Sequence, residues 1–227
     1  MKQSRQPPGP LTREGLKTPR AAAIAGILFS LLLTTTLVLI RISVPAISPE
    51  MQEWPASKSG TVVLALNLVP FAGIAFLWFI GVVRDRLGAY EDRFFATVFF
   101  GSGILFLAML FAAAAAAGAM ILVLNAAPKL MIESGAFAFG RAISAQIMNV
   151  FALKMAGVFM ISTATLAMRT HTLPRWITLP GYALAALLLL SSRFADWLPL
   201  AFPLWVLVLS LYILVENLRG TKPGAAG

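Results

Sequence analysis

The sequence predicts an all-α, polytopic bundle of transmembrane helices, and three observations predict it. The chain of 227 residues is 59% hydrophobic and only 12% charged, where soluble domains carry about 25% charged residues. Its apolar residues form uncharged runs of about the 20 residues that a hydrocarbon layer of roughly 30 Å requires. The runs are continuous rather than alternating, which excludes a transmembrane barrel. Finally, Lys and Arg are divided unequally between alternate connections, the bias that orients membrane proteins.

Each element follows from what bounds it. Residues 1–20, with Pro7, Pro8, Gly9, Pro10 and Pro19 among basic and polar side chains, predict a disordered basic tail. Residues 21–216 then form one domain of six spans at about 21–40, 61–83, 94–125, 144–168, 177–192 and 198–215, followed by a short tail over 217–227. The first run lies between Arg20 and Arg41, and the second between Lys58 and Arg84. The third stays uncharged from Arg93 to Lys129, which leaves room for tilt. Lys154 interrupts the fourth. The fifth and sixth are short and separated only by residues 193–197, as in a tight helical hairpin. A cleaved signal peptide is the competing reading of the first run. The run is longer than an h-region of about 7–15 residues, and Arg41 lies between it and Val44-Pro45-Ala46, which loosely resembles a small-residue cleavage site. A retained anchor is the expectation.

Six crossings put both termini on one side. That side would carry Lys2, Arg5, Arg13, Lys17, Arg20, Arg84, Arg86, Arg93, Arg169, Arg175, Arg219 and Lys222. The other keeps Arg41, Lys58, Lys129, Arg141 and Arg193. The acidic residues divide almost evenly, so the bias lies in the cations and both termini are predicted cytoplasmic. The net charge of +9 is thereby a matter of topology, with the bilayer as partner and no nucleic acid. Trp78 and Trp176 fall near the predicted inner interface, Trp54 and Trp197 near the outer one, and Trp205 deeper.

Enzyme chemistry has little to build on. The absence of cysteine removes disulfides, thiol catalysis and cysteine metal sites. The one histidine, His171, falls in a short loop, and all nine acidic residues lie outside the spans. No zinc-protease, nucleophile-elbow, Walker or dinucleotide motif occurs, so no catalytic residue, metal or cofactor is expected. The same lack of an intramembrane carboxylate argues against proton or sodium coupling.

Lys154 is the expensive residue. Counted from Ser144 it lies about 15 Å along its helix, near the middle of the layer, where a charge costs several kcal/mol. Steps of about 100° from Gln146 put Asn149, Leu153, Gly157 and Lys154 on roughly one face, aimed at Asn67 or Asn125, with Glu133 and Asp196 as carboxylates within the outer loops. Three meanings stand side by side: a polar cavity at Lys154, Asn149, Gln146 and Asn67 that takes an anion or polar solute; a docking charge for a membrane partner; and a snorkelling lysine that fixes packing. Ala112–Ala117 and Gly118 predict close helix approach or a homodimer seam. Pro70 beside Gly73 predicts a kink that serves as a hinge. Residues 129–141 predict an interfacial or re-entrant segment over the outer mouth.

The stretch from Met155 to Trp176, a Ser/Thr-containing helix end followed by Arg169, Thr170, Leu173, Pro174, Arg175 and Trp176, resembles a pattern common in uncharacterised bacterial six-helix membrane proteins. The resemblance implies a bacterial cytoplasmic membrane location and no particular activity. Two functions are expected: a small-solute, permease-like bundle working through the Lys154 face, and a non-catalytic accessory or interaction subunit.

Overall fold

A computed structural model describes residues 18–43, 56–87, 93–170, 173–190 and 197–220. The predicted tails at 1–17 and 221–227, Trp54, His171 and Asp196 lie outside the described residues. Helices α1 (Thr18–Ser43), α2 (Ala56–Leu87) and α3 (Arg93–Ala126) come first. A short α4 (Pro128–Glu133) turns through Gly135, at φ +72°, into α5 (Ala136–Gln146). A π-helical stretch, Ile147–Ala152, then joins α5 to α6 (Leu153–Arg169). α7 (Arg175–Leu190) comes next, and a 3-10 turn at Leu198–Leu200 leads into α8 (Ala201–Gly220). No strand occurs among the described residues.

Five of these helical stretches are long and apolar enough to cross a membrane: Arg20–Ser43, Ser59–Arg84, Thr97–Ala126, Ala136–Arg169 and Leu198–Arg219. The predicted fifth span, 177–192, corresponds to α7, which is as short as expected and is not among the five. α7 has 16 residues, which reach about 24 Å against a layer of roughly 30 Å. The predicted fourth span is longer, because the helix begins at Ala136 and carries Arg141 inside it instead of stopping there. Residues 129–141 are accordingly a short helix, a glycine turn and a helix start, with Met131 and Phe137 buried and Leu130 and Phe139 exposed.

Neighbouring helices run antiparallel. The Thr36 hydroxyl donates to the Ala65 carbonyl at 3.2 Å between α1 and α2, and Ser144 donates to the Ala113 carbonyl at 2.9 Å between α5 and α3. Thr165 and Tyr182 share a hydroxyl hydrogen bond of 2.7 Å, and Trp205 donates to the Ile177 carbonyl at 3.4 Å, tying α7 between α6 and α8. Large apolar side chains such as Leu28, Phe71, Ile74, Leu105 and Leu211 point outward, as lipid-facing positions do. Buried Ser30, Ser162 and Thr163 donate to carbonyls four residues back, which satisfies each hydroxyl without water.

The two ends of the bundle differ. Toward the proximal end, which holds the first and last described residues, seven phenylalanines are buried: Phe29, Phe76, Phe79, Phe99, Phe106, Phe159 and Phe202. Phe76 stacks or tilts against Phe29 at 4.5 Å and Phe159 at 5.2 Å, and meets Phe106 at 5.4 Å edge-on. Such pairs add to the burial of large apolar surfaces. Toward the distal end, where α1 finishes and α2 begins, the helices part.

Candidate functional site: a distal cavity

A partly open cavity of 410 Å³ lies among the distal halves of α1, α2, α3, the α5–π–α6 run and the turn before α8. Its floor is Leu33, Val69, Leu110 and Leu153, one to two turns from the phenylalanine layer. Its walls are mostly aliphatic, and its polar groups are few: Thr36, Arg41, Arg141, Ser144 and Asn149. Thr36 and Ser144 are committed to the backbone bonds that hold α1 to α2 and α5 to α3. Asn149 makes no hydrogen bond among the described residues.

The two arginines come from distant parts of the chain. Arg41 ends α1 and lies over the exposed Trp197 ring at 5.8 Å, a cation–π contact at the mouth. Arg141 sits one turn into α5, close enough for the two like charges to repel. No aspartate or glutamate lines the cavity among the described residues.

The spacing of the fourth wall explains how a single helix serves it. Arg141, Ala145, Asn149 and Leu153 all line the cavity and recur every four residues. In an uninterrupted α-helix such a row drifts by about 40° per step. The π stretch at Ile147–Ala152 takes in one extra residue and turns the remainder of the helix back by about 100°. That keeps Asn149 and Leu153 on the cavity with Arg141.

The same turn separates the residues expected to act together. Of Lys154, Asn149, Gln146 and Asn67, only Asn149 lines the cavity. Gln146 and Asn67 are exposed, and Asn125 is exposed at the end of α3. Lys154 is half-buried, on the stripe it shares with Val158, Ile161 and Thr165. Gly157 of α6 lies against Ala185, Leu188 and Leu189, and Thr165 meets Tyr182. Lys154 therefore stands beside the last turn of the short α7, where a helix C-terminus favours a cation. Among the described residues it has no ion pair or hydrogen bond, and Glu133 is exposed elsewhere.

Other expectations are modified by packing. Gly73 is covered by the Phe111 ring, so it serves close approach rather than a free hinge. Ala113, Ala114 and Ala117 line the cavity, and a Cβ on Gly118 would meet only Leu66 at 3.9 Å. The alanines thus leave space instead of closing it. Sequence reasoning misses the pair Arg41 and Arg141. Each reads as a loop cation, and the available signal is the four-residue spacing of Arg141, Ala145 and Asn149. No protein-family model matches the chain, and no curated protein or solved structure is significantly similar to it.

Proposed function

We propose that the chain is a non-enzymatic, solute-handling protein of the bacterial cell membrane. It is permease-like in admitting its solute to the distal cavity from the face opposite its termini. The observation that carries this reading is the cavity: 410 Å³ falls within the roughly 300–1,000 Å³ of small-molecule sites. Empty space of that size in a close-packed interior weakens a bundle that has only to hold itself together. Six crossings are supported by the antiparallel course of α7 between α6 and α8, since a short span is accommodated by local thinning of the bilayer. With six crossings the termini share a side, the cation bias makes it cytoplasmic, and the cavity faces out.

The chain contains no cysteine, so single cysteines report access cleanly. In intact cells a membrane-impermeant maleimide should label Asn149→Cys and leave Ala72→Cys, buried at the proximal side of the floor, unmodified. Labelling of Asn149→Cys only after the cytoplasmic face is exposed, or not at all, overturns the reading. Solutes that protect Asn149→Cys are candidates for transport.

Lys154 favours a second reading, an accessory subunit. A half-buried cation without a partner among the described residues is neutralised by an acidic residue of a neighbouring membrane protein. The native chain should then co-purify with a stoichiometric partner in mild detergent, and Lys154→Met should release it. A chain that purifies alone removes this reading.

A further inference from the structure

We infer that the guest of the distal cavity is an uncharged, mostly apolar molecule whose hydrogen-bonding group, of the amide type, pairs with the Asn149 carboxamide. This deepens the solute-handling reading and rests on it. The polar groups of the lining differ in what each has left to give. Arg41 and Arg141 stand toward the mouth, and neither is free, since each makes a further interaction of its own. Thr36 is buried with its one hydroxyl hydrogen spent on the Ala65 carbonyl, and half-buried Ser144 spends its own on Ala113. The Ser144 oxygen keeps lone pairs but no hydrogen. Asn149 is different. Eight residues past Arg141 and four before Leu153 of the floor, it lines the cavity with an exposed side chain and commits its amide to no other group among the described residues.

What remains fits a neutral group. An anion only accepts, so at the level of Ser144 and Asn149 it would face a serine oxygen with no hydrogen to offer, and a charge loses far more than an amide does on leaving water for a mostly aliphatic wall. A cation meets no carboxylate among the described lining residues. A carboxamide or lactam donates and accepts, as Asn149 does, so the two can exchange a pair of hydrogen bonds. The rest of the guest lies against Leu33, Val69 and Leu110, where removing apolar surface from water holds it. An apolar space with a few placed polar groups is how small-molecule sites fix orientation.

The test uses the full chain in detergent micelles with Ala145→Cys as its one thiol, at an exposed position on the cavity wall. It reads the rate of maleimide modification in the presence of octanamide, octanoate or octylamine. Octanamide should protect the thiol at about fivefold lower free concentration than either charged probe, the worth of a net hydrogen bond. Asn149→Leu should raise the octanamide concentration needed by roughly twofold to tenfold and leave the charged probes unchanged. Asn149→Asp should make octylamine the best of the three. Asn67→Leu removes an exposed amide away from the cavity and should change nothing. Melting temperatures of the variants serve as the check on folding. Four results overturn the inference. Octanoate ahead of octanamide, with Asn149 in place, puts the polar end on the arginines. Octylamine ahead means that a carboxylate reaches the cavity from outside the described residues, where Asp196 precedes Trp197. Octanamide protection indifferent to Asn149→Leu in a folded chain means an apolar slot that reads no polar group. A thiol that never reacts means a closed cavity and removes the underlying reading as well. The first three leave the labelling of Asn149→Cys in cells untouched, so failure here and failure of that reading are separately visible.

Discussion

The proximal half of the bundle is filled to its centre by phenylalanine rings, while the distal half holds the same helices apart around 410 Å³ of space. Two interior glycines show the tightness of the first: a Cβ on Gly26 would collide with Ser210 Oγ and lie 2.8 Å from Phe79, and one on Gly103 would lie 2.6 Å from Ile80. On the cavity side, a Cβ on Gly118 would meet only Leu66 at 3.9 Å. Close packing and open space are thus divided along the axis of the bundle. One half supplies the close packing that holds helices together in lipid, where burial from water contributes little between them. The other gives up contacts to make room, and the aromatic layer closes that room on the proximal side.

The sharpest way to break this contrast is to remove a large side chain from each half. Phe76 touches Phe29, Phe79, Phe106, Phe159 and Phe202, so Phe76→Ala should cost about 3–5 kcal/mol, the range for a buried ring. Leu37 lines the cavity and is only partly buried. Leu37→Ala enlarges an existing space and should cost less than the roughly 2 kcal/mol at which fully buried leucines begin. Reversible unfolding in detergent measures both. Equal losses would mean that the two halves are equally packed.

Helix existence is legible in the sequence and the site is not, for one physical reason. Runs without charge locate α3 to within one residue at either end, 94–125 against Arg93–Ala126, because an uncharged run of that length has no alternative in lipid. The same rule fails at Arg141, which lies within the helix and faces the cavity, so a fourth span begun at Ser144 starts eight residues late. A rule that reads cations as boundaries cannot see a cation that lines a pocket. Lys154 stands out instead, and an ideal α-helical wheel sets Gln146 and Asn149 beside it. The π stretch at Ile147–Ala152 turns that wheel, and nothing in the composition of Ile-Met-Asn-Val-Phe-Ala announces it. Trp78, Trp176 and Trp197, expected at the interfaces, are exposed, while Trp205, expected deeper, is buried.

Glycine substitutions sharpen the comparison at a smaller scale. Gly26→Ala adds one methyl where Ser210 and Phe79 already stand, and over-packing of that kind costs about 1–3 kcal/mol. Ser210 Oγ is itself buried without a hydrogen-bond partner among the described residues, so this crossing has no polar contact that could compensate. Gly118→Ala meets ordinary contact distance and should gain up to about 1 kcal/mol from helix propensity. Opposite signs from one chemical change are the expected result of the unfolding measurement. A destabilising Gly118→Ala would place a tight seam in the distal half.

The smallest effect on stability is expected where a substitution takes up cavity volume. Ala117 is half-buried on the cavity wall, and Ala117→Leu adds three carbons to space that no side chain occupies. Filling such space gains dispersion contacts, each worth about 0.1–0.2 kcal/mol per atom pair. The new side chain also loses rotamer freedom, at roughly 0.5–1 kcal/mol. The two nearly cancel, and unfolding should move by less than about 0.5 kcal/mol either way. Uptake or ligand binding, by contrast, should fall with the lost volume. A residue neutral for folding and costly for binding is what a cavity maintained for a guest requires. If Ala117→Leu raised stability by several kcal/mol and left binding intact, the space would be a packing defect.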